Sequence, residues 1–200
     1  RASSTILGTW GITPVKIAKK VAKLARLPIM VHVGEPPPMI EEVFDLLDPG
    51  DIVTHCFHGK RGANIMEDAD LADWAKRLAD QGVVMDIGHG AASFSYAVGI
   101  AGLKHGIVPT TISTDLHIRN VDGPVWELSL VMSKLLALGM GFDQVIAGVT
   151  THALKAVGLP ETDMMKQRRR TLEELATEVE LGAAGPRGTA GFIGPTGVVA

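Results

Sequence analysis

Four short apolar runs alternate with longer stretches of helical spacing along the first 160 residues. The runs are bordered by Gly or Pro, as buried strands commonly are, and they lie at 29–33, 51–55, 82–87 and 109–115. Apolar positions three and four residues apart predict helices at 14–26, 39–47, 68–81, 93–103 and 125–138. The pattern therefore predicts strands and helices in alternation.

This alternation, at a spacing of about 30 residues, predicts parallel strands joined by right-handed crossovers. Nearly continuous apolar strands indicate that both faces of the sheet are covered. An open doubly wound sheet and a (β/α)8 barrel both fit, but no Gly-rich phosphate loop follows any strand, which weakens the nucleotide-binding version of the open sheet. Four βα units are about half of a barrel. Since open sheet edges are costly, we expect a partial (β/α)8 TIM barrel of the α/β class that lacks upstream strands.

The predicted domain organisation has three parts, of which the barrel segment covers residues 1–160. A polar helix is expected at 161–181 and a Gly-rich tail at 182–200. Glycine recurs at every third position of this tail, which is the collagen period, but the repeat is too short and too poor in proline for a triple helix. We therefore expect the tail to be disordered.

Composition excludes several classes of function. The chain of 200 residues is 46% hydrophobic, 20% charged and 4% aromatic, with a formal net charge of −3, so neither nucleic acid nor an anionic membrane is an expected partner. No apolar run approaches the roughly 20 residues that span a bilayer. Cys56 is the only cysteine and is predicted to be a core residue, which fits a reducing, cytoplasmic location.

Residues that commonly bind metal ions stand at or near the end of each predicted strand, namely His32, His55, Asp86 and Asp115. In a parallel barrel the carboxyl ends of the strands share one rim, where catalytic residues are found. A single His at such a position is usually structural, but four successive strand ends are not expected by chance. Imidazole and carboxylate ligands without thiolate favour zinc, manganese or iron in an open catalytic site.

Four motifs at these strand ends, together with a fifth segment, make a family resemblance specific. VHVGEPPP, THCFHG, DIGHG and ISTDLH resemble the amidohydrolase superfamily and, more narrowly, the dihydroorotase-like amidohydrolase/deacetylase metallohydrolases; they occupy 31–38, 54–59, 86–90 and 112–117. The segment at 132–140 fits the same group, and the similarity covers about residues 1–160.

The resemblance implies a binuclear metal centre, usually zinc, on a (β/α)8 barrel. His32 matches the ligand after strand five, His55 the ligand after strand six, and Asp115 the strand-eight residue that is both ligand and general acid/base. The family also uses a His-x-His pair after strand one and a bridging carboxylated lysine after strand four, and this chain has neither. The chain therefore resembles the C-terminal half of the barrel, from strand four or five to strand eight, with the N-terminal half as its missing partner.

Further residues near the strand ends are candidates for substrate contact or for holding the loops. His58, His89 and His117 are the candidate substrate contacts, although His58 could instead anchor its loop. Asp86 is interpreted as a buried hydrogen-bond acceptor that holds the rim loops. Glu35, which precedes three prolines, is interpreted as an acceptor within its turn or as a charge at a helix start.

The predicted function is hydrolysis of a C–N amide or ester bond in a small acylated molecule. Metal-bound hydroxide would attack the carbonyl, and Asp115 would act as the general acid/base. One alternative is a cyclic-amide hydrolase of the dihydroorotase or hydantoinase type. A second is an inactive half barrel that lacks the bridging lysine and the His-x-His ligands. The expected partners are an acylated small molecule and, in a homo-oligomer, further copies of the chain.

Overall fold

The computed structural model describes residues 1–160, and the predicted polar helix and Gly-rich tail lie outside these residues. The chain divides into two units, Arg1–Leu159 and Pro160–Ala200, of which the first is described below. It has an α/β fold with parallel strands, so the predicted class is confirmed.

Three parallel strands form the sheet in the order β1–β2–β3. They are β1 (Met30–His32), β2 (Ile52–Thr54) and β3 (Val84–Asp86). Isolated parallel bridges extend this frame on both sides, from Ala2 to Val33 and from Asp86 to Thr111. The fourth predicted strand is therefore reduced to a single bridge, and five chain segments lie side by side.

Helices cover the segments between the strands, and a 3-10 turn at Gly8–Trp10 follows the first of them. They are α1 (Ser4–Leu7), α2 (Thr13–Ala25), α3 (Ile40–Phe44), α4 (Ala69–Asp80), α5 (Tyr96–Lys104), α6 (Leu128–Ala137), α7 (Phe142–Val149) and α8 (Thr151–Ala156). The five predicted helices are confirmed with shifted ends, whereas α1, α7 and α8 were not predicted. The Asp68 side chain accepts a hydrogen bond from the Leu71 amide and so begins α4 as an N-cap.

The core lies on both faces of the sheet, as expected for strands that are apolar at successive positions. Val53 of β2 and Met85 of β3 have no exposed surface, and all three residues of β2 are buried. Phe57 packs directly on α5, where a side chain at Gly102 would come within 2.7 Å of its ring. Glycine at this position therefore lets helix and loop approach closely.

Helix α2, beside β1, carries an apolar stripe that residues 1–160 do not cover. Ile17, Val21 and Leu24 are 56%, 58% and 87% exposed, and their spacing places them on one side of the helix. Met30 of β1 is also 56% exposed. The β1 side of the sheet thus presents apolar surface to solvent. Within residues 1–160, no helix combines the length and apolar composition needed to cross a bilayer.

Candidate metal centre

The predicted ligands lie at one edge of the sheet, where the strands end. His32 is the last residue of β1, His55 directly follows β2, and Asp115 lies four residues beyond the Thr111 bridge. Because the strands are parallel and in register, their carboxyl ends face the same side. The edge formed by these residues is called the rim below.

His32 and His55 are in contact at the rim. Their ring centroids are 4.5 Å apart and their planes meet at 84°. Nδ1 of His55 lies 2.5 Å from the carbonyl oxygen of Gly88, so this nitrogen carries the hydrogen and Nε2 keeps a free lone pair. Nδ1 of His32 is buried and has no hydrogen-bond partner among the described residues. Each imidazole thus offers a nitrogen that could bind a cation.

Burial also selects the protonation state that binds metal ions. Burial, helped by the neighbouring His55, lowers the pKa of His32 from 6.5 to about 3. Burial likewise lowers the pKa of His55, although the Gly88 carbonyl opposes this change. Both rings are therefore neutral at neutral pH, which is the form that coordinates metals.

The backbone at the rim is strained where two of the predicted ligands stand. His55 has φ +68° and Asp115 has φ +47°, two of the four positive values for non-glycine residues within the described range. Such conformations persist only where surrounding contacts maintain them, and they are concentrated at functional sites. Any side chain at Gly88 would lie 2.7 Å from Nδ1 of His55, and one at Gly90 would lie 2.8 Å from Oδ2 of Asp115. The loop backbone therefore packs directly against both residues.

The donor set within the described residues is nevertheless incomplete. In residues 1–160 no group of three His, Cys, Asp or Glu side chains is close enough to hold an ion. Asp115 is exposed at the rim. It lies near enough to His55 that its charge opposes the lowering of the His55 pKa by burial. Two neutral imidazoles with available nitrogens fit a zinc-type ion, and the remaining ligands must come from elsewhere or from a movement of Asp115.

The three candidate substrate contacts occupy different environments. His58 is fully buried, its Nδ1 accepts a hydrogen bond from the Lys60 amide at 3.2 Å, and its Nε2 has no partner among the described residues. Burial lowers its pKa from 6.5 to about 4. His117 is exposed, and its Nδ1 accepts from the Arg119 amide at 3.1 Å. Of these two, only His117 is accessible to solvent.

His89 is buried, and both of its ring nitrogens are engaged. Its Nδ1 lies 2.8 Å from the Gly90 carbonyl and its Nε2 3.1 Å from Nζ of Lys134, while its ring stacks on Phe94 at 4.6 Å. Lys134 extends from α6, donates also to the Pro124 carbonyl, and has its pKa lowered by burial. A substrate could therefore contact only the carbon atoms of the His89 ring, unless Lys134 were displaced from Nε2.

Of two acidic residues with predicted structural roles, Asp86 has the predicted role and Glu35 has a different one. Asp86 is 2% exposed and accepts hydrogen bonds from three hydroxyl groups, so the predicted buried acceptor is confirmed. Glu35 accepts from Ser3 and, at 2.9 Å, from Lys60, and these bonds lower its pKa from 4.5 to about 2. Glu35 thus joins the chain start to the loop after β2, which is a longer reach than the turn predicted.

Sequence reasoning missed Lys134 and the hydroxyl groups around Asp86. The segment at 132–140 was singled out for the resemblance, but a lysine on a helix is normally solvated, so no contact was predicted for Lys134. The hydroxyls did leave a signal, because Thr54 stands opposite Asp86 in the strand register and Thr111 bridges it from the other side. Aligning the polar residues across neighbouring strands would have found them.

Comparison with known proteins finds relatives that match residues of the described unit. No family model matches the chain. The chain is 52% identical over 159 residues to a protein of Brucella anthropi named deacetylase, a match that covers 80% of this chain and 40% of the relative. The chain thus spans about two fifths of the length of that relative.

Two solved structures share the fold. A crystal structure described as a dihydroorotase aligns with a TM-score of 0.78 and 50% identity, covering 80% of this chain and 42% of that one. A crystal structure described as an adenine deaminase aligns with a TM-score of 0.74 and 37% identity, covering 79% and 44%. Both sequence identities, 50% and 37%, are well above the level at which only the fold is shared.

Proposed function

Because the described part of the chain belongs to the amidohydrolase superfamily, we propose that it supplies the C-terminal half of a (β/α)8 barrel to a metal-dependent hydrolase. The proposed reaction is cleavage of a C–N amide or ester bond in a small acylated molecule. The observation that carries the proposal is the His32–His55 contact, in which each neutral ring offers one available nitrogen.

The proposed cofactor is zinc, with two divalent ions in the intact enzyme. His32, His55 and Asp115 would be the ligands from this chain, and the bridging lysine and His-x-His pair would come from the rest of the barrel. When bound, such ions lower the pKa of water and polarise a carbonyl group. The two imidazoles and the loop at Gly88 provide preorganised support for this chemistry.

Asp115 is the proposed general acid/base of the reaction. It is exposed at the rim, so its carboxylate can take a proton from a water molecule and deliver it to the leaving nitrogen or oxygen. The backbone of Asp115 has a positive φ, and its carboxylate packs against Gly90. His58, His89 and His117 are the proposed substrate contacts, and only His117 is solvent-accessible without rearrangement.

The apolar stripe on α2 supports the proposal that further barrel elements pack against this unit. Ile17, Val21 and Leu24 would be covered on association. The sheet would continue beyond β1 through the segment that pairs with it at the Ala2–Val33 bridge. The relatives are more than twice as long as the matched region, which leaves enough chain for the remaining strands. A second copy of the chain is the alternative occupant of this surface.

Two other functions have specific support. Similarity to a structure described as a dihydroorotase favours a cyclic amide as the alternative substrate. The incomplete donor set in residues 1–160 favours an inactive half barrel. A panel of linear acyl compounds and cyclic amides, tested on the longest polypeptide that carries this segment, distinguishes the proposed acyl hydrolase from the cyclic-amide hydrolase. Only one class of compound would be hydrolysed efficiently.

Zinc binding by the full chain tests the proposal directly. Competition with a chromophoric chelator should give a measurable affinity for the unmodified chain and an affinity at least about tenfold lower for His32→Ala/His55→Ala, because two imidazole ligands are lost. His105→Ala is the matched control, since His105 is exposed on the far end of α5 and pairs with Asp73. Equal affinity in all three proteins would remove the support for a metal centre.

A further inference from the structure

The carboxylate of Asp86 is buried among hydroxyl groups rather than cations. Its Oδ2 accepts from Thr54 at 2.6 Å and from Ser113 at 2.8 Å, and its Oδ1 accepts from Thr111 at 2.7 Å. None of the ion pairs in residues 1–160 includes Asp86. Three neighbouring chain segments therefore meet at one carboxylate.

On one side, the bonds of Asp86 enclose His55. The side chain of Thr54, the residue before His55, binds the carboxylate, and the amide of Cys56, the residue after it, donates to the Asp86 carbonyl at 3.1 Å. The imidazole of His55 then binds the carbonyl of Gly88, two residues beyond Asp86. The strained backbone and the ring of His55 are thus both held by the segment that begins at Asp86.

On the other side, the same residue holds the segment that leads to Asp115. The hydroxyl groups of Ser113, two residues before Asp115, and of Thr111, a further two residues earlier, both donate to the Asp86 carboxylate. The amides of His89 and Gly90 donate to the carbonyls of Ser113 and Thr114 at 3.1 and 3.0 Å. These bonds bring the two segments into a fixed register at the rim.

We infer that Asp86 is a positioning residue that sets the mutual placement of His55 and Asp115 for metal binding, an inference that rests on the proposed function. It does not touch the reacting atoms. Its three hydroxyl donors act from strands on both sides, so loss of the acceptor would free both predicted ligand positions together. Hydrogen-bond partners behind metal ligands commonly tune affinity in this way.

The test compares Asp86→Asn with the unmodified full chain by two measurements. Zinc affinity should fall by about 10- to 100-fold, the usual effect of losing an outer hydrogen-bond partner. The Nδ1–H signal of the His55 ring, observed by NMR without metal, should lose its protection from exchange with solvent because the bond to Gly88 loosens. The second measurement reports on positioning without any loaded site.

Asp51→Asn is the matched control, because Asp51 is also a buried carboxylate but lies at the opposite end of β2. It should destabilise the chain while leaving zinc affinity and the His55 ring signal of the folded molecules unchanged. If Asp86→Asn keeps both properties at the level of the unmodified chain, or if both variants change them equally, the inference is overturned.

Thr54 provides a second pair of variants in case Asp86→Asn does not fold. Thr54→Val removes the hydroxyl that binds Asp86 while keeping the shape of the side chain, and Thr54→Ser restores it. The protection of the His55 ring should fall in the first and recover in the second, whereas equal protection in both contradicts the inference. If the unmodified chain shows a protected His55 ring but no zinc binding, the proposed function fails. The positioning of His55 by Asp86 is then tested by the ring signal of the variants alone.

Discussion

Two buried carboxylates at opposite ends of the sheet, Asp51 and Asp86, are stabilised in different ways. Asp51, just before β2, binds the Lys19 ammonium and the amides of Ile29 and Asp48, at 3.0 and 2.8 Å for the amides. The carboxylate of Asp86, at the end of β3, accepts hydrogen bonds from hydroxyl groups alone among the described residues. One carboxylate is paired with a cation, and the other is surrounded by neutral hydroxyl donors.

This difference separates the end of the sheet that holds Asp51 from the rim, which carries the proposed metal ligands. At the Asp51 end, a cation on α2 and two loop amides converge on one carboxylate, which fastens helix to sheet. At the rim, the buried Asp86 carboxylate lies behind His55 and accepts hydrogen bonds from hydroxyl groups of the neighbouring segments. Among residues 1–160, the carboxylate behind the proposed metal ligands is therefore held without an ion pair, whereas Asp51 is held by one.

Removing Asp51 should have the largest effect on stability. Asp51→Ala leaves the Lys19 ammonium buried without its closest partner and two amides without an acceptor, so the free energy of unfolding should fall by about 3–5 kcal/mol. Urea unfolding of the full chain, followed by circular dichroism, measures this change. A loss below about 1 kcal/mol, the size of one ordinary hydrogen bond, would show that the two ends do not differ as described.

Replacing the cation should cost less than removing the anion. In Lys19→Met the two amides still bind Asp51, and the methionine keeps most of the apolar stem, so we expect a loss of about 1–3 kcal/mol near neutral pH. Burial lowers the pKa of Lys19, but the bonds to Asp51 and Asp48 outweigh it, and the net pKa is raised above 10.5. Comparison of Lys19→Met with Asp51→Ala by urea unfolding gives the order of the two effects.

The raised pKa also fixes the sign of the pH dependence. A group whose pKa is higher in the folded state stabilises the fold fully below its unfolded value, here 10.5, and loses this contribution as the pH rises through the folded value. The stability difference between the unmodified chain and Lys19→Met should therefore be constant from pH 7 to about 10 and shrink above this range. A difference that grew with alkaline pH would contradict the ion pair.

The sequence predicted the order of the elements better than their limits. Apolar runs located β1, β2 and β3, but the predicted run at 82–87 yields a strand of only Val84–Asp86. Strand ends depend on which neighbouring segment supplies hydrogen bonds, and that is a property of the assembled sheet. Helices α7 and α8 were missed because they are short, and the junction at Thr150, with φ −129° and ψ −93°, interrupts their helical pattern.

At the candidate site, sequence could identify which residue types stand at the strand ends but not their contacts. The adjacency of His32 and His55 follows from parallel strands in register, so it was within reach of pattern reasoning. The engagement of His89 by Lys134 joins residues 45 positions apart on different elements. Contacts of this kind depend on helix packing, which hydrophobic periodicity does not specify.

The exposed pair Lys76–Asp80 on α4 gives the smallest expected effect and isolates the role of burial. Nζ of Lys76 lies 2.6 Å from Oδ1 of Asp80, so the contact is as short as many buried ones, but the two side chains are 33% and 62% exposed. Water and salt already solvate both charges, and Asp80→Asn should therefore lower the unfolding free energy by no more than about 0.5 kcal/mol. Added salt should reduce even this difference, as measured by urea unfolding at low and high ionic strength. If Asp80→Asn instead cost as much as Lys19→Met, proximity of opposite charges alone would account for both, and the burial that distinguishes the Asp51 end would have no energetic consequence.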